Sequence, residues 1–130
     1  MESKLTDAAL ALLGPLERRL MAAVWRGQLP TPFVVRDARQ LVPELAYTTV
    51  MTTLGRLATK GLLDAERQPG GRPTRYRASG GPADYLAIVS RLHVRRLRDR
   101  FGERALAAFA AELDDLSPVE LEQLRRLADP

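Results

Sequence analysis

Five threonines stand in the segment LAYTTVMTTLGRLATKGLL, residues 45–63, whose apolar residues otherwise have helical spacing. Threonine is a mediocre helix former, because its branched Cβ loses rotamer freedom against the preceding turn. At about 100° per residue, Val50, Leu54 and Leu57 fall in one apolar sector. The opposite and flanking positions carry short hydroxyls, a glycine, a methionine and one arginine: Thr48, Thr49, Met51, Thr52, Gly55, Arg56 and Thr59. Such a face is either a threonine-rich solvated surface or one that binds DNA phosphates and base edges at close range.

A second group of cationic residues follows in RQPGGRPTRYR, residues 67–77. The Pro-Gly-Gly step predicts a turn, and the flanking LLDAERQ and TRYRA segments are consistent with the strands of a β-hairpin. The arginines at its tip and on its second strand would attract phosphates in a salt-dependent way. Tyr76 alternates with two of these arginines, so we expect its ring to point into the core.

Residues that could support catalysis are few. His93, the only histidine, lies among arginines without a second ligand, which favours a surface or interface role. There is no cysteine, and the HExxH, Walker and dinucleotide-binding motifs do not occur. We therefore predict no enzyme, no metal site and no cofactor. The composition, without a long apolar run or a signal-peptide pattern, predicts a cytoplasmic protein with no stable membrane association.

Charge is distributed unevenly along the 130 residues, whose net charge is +4. Residues 48–78 carry six basic and two acidic side chains, and residues 79–104 carry six arginines and three acids. Residues 105–130 reverse this balance, with two arginines and six acids. A basic centre with an acidic end is typical either of an ordinary solvated surface or of a chain that meets a polyanion through one part.

The elements that must position these residues are helices separated by Gly and Pro clusters. PLERRLMAAVW predicts a helix that begins at Pro15, and VVRDARQLV predicts a short helix with Val34, Ala38 and Leu41 on one stripe. Three helices and a basic hairpin form the outline of a winged helix-turn-helix, whose third helix enters the major groove. We predict a mainly α fold with a small β-hairpin, in which residues 1–80 are a winged-helix DNA-binding domain and residues 81–130 a helical region.

The C-terminal region shows three amphipathic helices. Gly102 is expected to cap the first of them, while Ser117, Pro118 and Glu120 form a capping box at the start of the last. Their apolar stripes can pack either on their own domain or on a second copy, and periodicity does not separate these outcomes.

The segments LERRLMAAVW, VVRDARQLV, LAYTTVMTTLGRLATKGLL and RYRA, in this order, resemble the penicillinase-repressor (BlaI/MecI/CopY) family of bacterial winged-helix repressors. RDRFGERALAAFAAELDDLSPVELEQLRRL is similar to the dimerisation region of that family. The resemblance implies a homodimer that represses transcription from an inverted-repeat operator built around TACA/TGTA. It also implies that the C-terminal stripes form the dimer interface, through Leu86, Val89, Leu97, Phe101, Leu106, Phe109, Leu121 and Leu124.

The chain departs from the family pattern in two places. Copper-responsive members carry a cysteine-rich metal site, which a chain without cysteine cannot form. Antibiotic-responsive members are released by cleavage between Asn and Phe, through a membrane sensor metalloprotease system that the resemblance implies as a partner. The matching position here is Arg100–Phe101, so release by cleavage at that bond is open, as is the alternative that Phe101 only anchors the dimer.

Two functions follow from these patterns. The first is a sequence-specific repressor that binds a double-stranded DNA operator through Thr48, Thr49, Thr52, Arg56, Lys60, Arg72 and Arg75. The alternative is a winged-helix protein-interaction module without specific DNA binding.

Overall fold

The computed structural model describes residues 2–128, with side chains from residue 4 onward. Within these residues, seven helices and one two-stranded antiparallel sheet confirm the predicted mainly helical fold with a small hairpin. In chain order the elements are α1 (Glu2–Leu10), α2 (Pro15–Trp25), α3 (Val35–Arg39), α4 (Tyr47–Thr59), β1 (Leu63–Glu66), β2 (Arg75–Ala78), α5 (Pro82–Phe101), α6 (Glu103–Asp114) and α7 (Pro118–Ala128). No helix in this part of the chain is both long and apolar enough to cross a membrane.

The chain divides into two compact units, Met1–Ile88 and Val89–Pro130. We call the first unit the head and the second the arm. The division falls within α5, and the predicted domain boundary after residue 80, just before that helix begins, stays a prediction.

The core of the head is built from the apolar faces of its helices and from the hairpin. Phe33, Leu20, Met21, Leu54 and Val50 are among its most completely buried side chains. Helix α2 begins at Pro15, as predicted, because proline suits a first turn whose N–H groups have no intrahelical partner.

Helix α4 ends in a turn that returns the chain to the core. Gly61 has a φ of +84°, and the Leu62 N–H donates to the Leu57 carbonyl at 2.9 Å. This pattern of a left-handed glycine and a backward hydrogen bond is a Schellman-type helix end. As a result Leu62 and Leu63 are both buried and β1 begins directly beneath the helix.

Strands β1 and β2 pair with Leu63 opposite Ala78 and Glu66 opposite Arg75. Tyr76 also pairs with Phe33, through hydrogen bonds of 2.9 and 2.7 Å between their backbones, and the two rings stack at 5.7 Å. Tyr76 is buried, which confirms its predicted inward orientation. The hairpin is therefore attached to the head through the segment between α2 and α3.

One helix was not predicted and another was predicted inaccurately. Helix α1 was not among the predicted helices, and it contributes Ala9 and Leu10 to the core. Helix α3 is shorter than predicted and buries Val35 and Ala38, while Leu41 is exposed. The buried stripe starts at Val35 and not at Val34, because the helix begins after Val34, which is its N-cap.

The arm consists of helices whose ends have well-defined caps. Gly102, with a φ of +66°, ends α5 as predicted, and α6 starts at the next residue. At the start of α7 the Ser117 hydroxyl accepts from the Glu120 N–H, and the Glu120 carboxylate accepts from the Ser117 N–H, both at 3.2 Å. This reciprocal pair is the predicted capping box.

Candidate nucleic-acid interface

The exposed face of α4 carries the side chains that the sequence singled out for DNA binding. Thr48, Thr49, Thr52 and Arg56 are all exposed and line one shallow cleft on the head. The opposite face is fully buried, because Val50, Leu54 and Leu57 have no accessible surface. The core therefore fixes the rotation of α4 about its axis, and this rotation directs the hydroxyls and the guanidinium to solvent.

The five threonines of α4 differ in what their hydroxyls do. Thr53 is buried and donates to the Thr49 carbonyl at 2.9 Å, and Thr59 donates to the Gly55 carbonyl at 3.0 Å. These two hydroxyls are satisfied by their own helix, as is common for threonine in a helix. Within the described residues, the hydroxyls of Thr48, Thr49 and Thr52 form no hydrogen bond, so they are available to a ligand.

Lys60, at the end of α4, already has a partner in the head. Its ammonium group lies 2.8 Å from Glu17 Oε1, which also accepts from the Gly14 N–H at 3.1 Å. Burial alone would raise the pKa of Glu17, but the Lys60 and Gly14 hydrogen bonds and the nearby cations outweigh it and hold the pKa below its ordinary value. In this structure Lys60 connects α4 to α2, and its predicted contact with DNA stays a prediction.

The hairpin presents its arginines to solvent. Arg75 and Arg77 alternate with buried Tyr76 along β2, so both point away from the core. Arg77 lies 3.7 Å from Glu66, whereas no ion pair holds Arg72 or Arg75 within the described part of the chain. Arg67 is likewise exposed and has no ion pair there, so Arg72 and Arg75 are two of the three hairpin arginines that remain free for phosphate.

Sequence reasoning missed a second cleft on the head. Its lining comes from α3 and from the start of α4: Arg36, Arg39, Gln40, Pro43 and Tyr47. Arg39 donates to the Leu45 carbonyl at 3.1 Å, and Tyr47 is nearly half exposed (45%). A signal was present, since an aromatic residue at the first position of α4 follows two arginines on the preceding helix. The spacing of Val34, Ala38 and Leu41 predicted only a core role for that helix.

The predicted dimer-interface residues, which lie in the arm except for Leu86 at the end of the head, are largely uncovered. Neither α6 nor α7 has a buried residue. Leu97, Phe101, Leu106, Phe109 and Leu124 are each about 40–50% exposed, and Leu86, Val89 and Leu121 are intermediate. The Arg100 guanidinium stacks over the Phe101 ring at 5.2 Å from its centroid. Both residues of the predicted cleavage position thus lie in the last turn of α5.

The described side chains include no cluster of three or more His, Cys, Asp or Glu that could hold a metal ion.

A family profile described as penicillinase repressor matches residues 13–130. The chain belongs to the penicillinase repressor family. The predicted resemblance is confirmed, and this family is one of transcriptional repressors.

Two curated relatives from Mycobacterium tuberculosis, strains CDC 1551 and H37Rv, are named transcriptional regulator BlaI. Each is 47% identical to this member of the family over 57 residues, which is 43% of this chain and 41% of the relative. The chain therefore spans about two fifths of the length of the curated relatives it matches. A solved structure of the transcriptional regulator PA4135 is 16% identical, covers 90% of both chains and has a TM-score of 0.46.

Proposed function

We propose that this penicillinase repressor family member is a sequence-specific DNA-binding repressor that acts as a homodimer on an inverted-repeat operator. The observation that carries the proposal is the exposed face of α4, where three unbonded threonine hydroxyls and Arg56 surround one cleft. Short side chains let the helix approach base edges closely, and a guanidinium can bind guanine or phosphate.

The hairpin of β1 and β2 with its connecting loop, which we call the wing, supports the same function. Arg72 and Arg75 are exposed without ion-pair partners in the described residues, so they can neutralise phosphates beside the bases that α4 contacts. The second cleft, with Arg36 and Tyr47, extends this basic surface from α4 to α3.

The arm supports the dimer. Its leucines and phenylalanines are too exposed and too numerous for a surface that stays in water, and such patches usually mark contacts with another protein. A two-fold dimer carries two heads and can bind two half-sites about one helical turn apart. Linking the heads raises the effective concentration of the second head once the first has bound.

Selection from a random duplex library tests the specific function. The unmodified protein should enrich an inverted repeat at moderate salt, and Arg56→Ala should lose preference at one position of each half-site, at a cost of about 1–3 kcal/mol. Thr59→Ala is the matched control, because that hydroxyl already donates to the Gly55 carbonyl.

Failure to enrich any motif would contradict specific DNA binding and favour the protein-interaction alternative. An unchanged motif with the Arg56 variant would instead exclude Arg56 from base recognition while leaving DNA binding intact.

A further inference from the structure

Helix α5 carries a dense group of arginines in the arm, outside the DNA-binding face of the head. Between residues 85 and 102 there are five arginines and a single acid, Asp99. All five are exposed, and none forms an ion pair with a described residue. A surface that only faces water usually has both signs of charge interspersed, so this uncompensated positive charge points to an anionic partner.

Three of these arginines share one side of the helix. At 100° per residue, Arg91, Arg95 and Arg98 fall within a sector of about 60°. We call these three residues the arginine stripe. Their positions are spaced by about 6 and 4.5 Å along the helix axis, so the stripe is about 10 Å long.

The arginine stripe lies away from the residues of α5 that are predicted to form the dimer interface. Around the helix, the centre of the stripe is about 140° from the centre of those residues, which are Leu86, Val89, Leu97 and Phe101. A second copy that covers these apolar side chains therefore leaves the arginine stripe open to another partner.

Double-stranded DNA is the partner that the arginine stripe fits. Each strand carries one phosphate per 3.4 Å of helix axis, so a stripe of about 10 Å spans about three phosphates. A guanidinium can bind a phosphate through two parallel N–H donors, and this contact requires no particular base. Because the head is proposed to bind an operator, it also brings the arm to DNA at a high effective concentration. An acidic protein surface offers neither this regular spacing nor this delivery.

We infer that the arginine stripe of α5 is a second, sequence-independent DNA contact, which binds backbone phosphates outside the base pairs that α4 contacts. This inference rests on the proposed DNA-binding function and extends the DNA-binding surface to the arm. Helix α4 then determines which sequence is bound, while the stripe raises the affinity for every duplex and makes that affinity more dependent on salt.

Two matched pairs of substitutions test the contact. Arg91→Gln with Arg95→Gln removes two charges from the stripe, and Arg96→Gln with Arg100→Gln removes two charges from another side of the same helix. Each pair is four residues apart, and glutamine is about as good a helix former as arginine. Fluorescence anisotropy at several salt concentrations measures binding to two duplexes of equal length. One carries the selected operator between flanks longer than one helical turn, and the other has a random sequence.

The stripe variant should show a weaker salt dependence than the control variant on both duplexes. At about 0.9 per lost phosphate contact, the slope of log affinity against log salt should fall by about 2 for each bound chain. The control variant should keep a slope close to that of the unmodified protein. The motif that the stripe variant selects from a random library should be unchanged, because α4 is intact. Circular dichroism and sedimentation check that both variants keep their helices and their oligomeric state.

Each outcome decides for or against the inference. Equal slopes for the two variants would overturn it. So would a stripe variant that self-associates more weakly than the unmodified protein, because the arginines would then contact acidic side chains of a second copy. If the unmodified protein enriches no motif, the proposed specific function fails alone, since the random duplex still tests the stripe. An unmodified protein that binds neither duplex would overturn both.

Discussion

The ion pair between Glu17 and Lys60 should make a measurable contribution to the stability of the head, and Lys60→Met would reveal it. The substitution removes the ammonium 2.8 Å from Glu17 Oε1 but keeps an aliphatic side chain of similar length. Glu17 is 9% exposed, and its second carboxylate oxygen is buried without a hydrogen-bond partner in the described structure. The substitution therefore leaves a nearly buried carboxylate that has lost its counterion.

The magnitude follows from how far water can replace the lost partner. Breaking a fully buried pair costs about 3–5 kcal/mol, because the remaining charge is uncompensated. Lys60 is 45% exposed on its side chain, and Glu17 keeps its hydrogen bond from the Gly14 N–H. We therefore expect a smaller loss in the free energy of unfolding, about 1–3 kcal/mol at neutral pH.

The loss should depend on pH with a definite sign. Because the pKa of Glu17 is lower in the folded head than its ordinary value of 4.5, the pair contributes fully above that ordinary value. Its contribution declines as the pH falls through the folded pKa, where the carboxylate takes up a proton. The difference between the unmodified protein and Lys60→Met should therefore shrink in acid.

Urea denaturation followed by tryptophan fluorescence measures this difference within the head. Trp25 is the only tryptophan and donates to the Gly80 carbonyl at 3.0 Å, so its emission should change when the head unfolds. Arg19→Met is the matched control, since it removes an exposed pair with Glu44 of similar length, 2.7 Å. A midpoint that moves no more with Lys60→Met than with Arg19→Met, or a loss that is equal at pH 7 and pH 3, would refute the reasoning.

Three further predictions concern DNA binding, assembly and release. Replacing Arg72 or Arg75 with glutamine should weaken binding to all duplexes alike and reduce the slope of log affinity against log salt by about one, as measured by fluorescence anisotropy at several salt concentrations. A chain truncated after Ile88, at the boundary between the two units, should be monomeric by light scattering under conditions in which the full chain is a dimer. If repression ends by proteolysis, mass spectrometry of the protein from induced cells should show cleavage at or near Arg100–Phe101, and a protease specific for Asn-Phe bonds should not cut. Intact chains with full derepression would exclude cleavage as the signal.

Periodicity predicted the elements whose residues face the core in a regular pattern. The buried side of α4 was predicted because Val50, Leu54 and Leu57 recur at helical spacing over about two turns. The capping box at Ser117 was predicted because both of its hydrogen bonds join residues three apart. All residues of such a local pattern lie in one short segment, so the pattern can be recognised from the sequence alone.

Pairings between distant segments could not be predicted in this way. Glu17 and Lys60 are joined only because α2 packs against the end of α4, and neither segment alone indicates this. Helix α1 was missed because its apolar residues form one short block without an N-terminal capping signal. Which threonine hydroxyls face solvent and which are buried depends on the rotation of α4 about its axis, and packing against the core determines this rotation.

Gly102 keeps α5 and α6 apart as two separate helices, and a substitution there could change the arm during evolution. Its φ of +66° and ψ of −147° belong to a region that is almost restricted to glycine, while a side chain there would meet no atom within 4 Å. The only obstacle to alanine is therefore the backbone conformation, and the helix-forming sequence on both sides favours removing the break. With Gly102→Ala we expect α5 and α6 to fuse into one continuous rod, detectable as a gain in helicity by circular dichroism. The fused rod would move Phe101 and Phe109 onto one straight helix, so a single codon separates the jointed arm from a straight one.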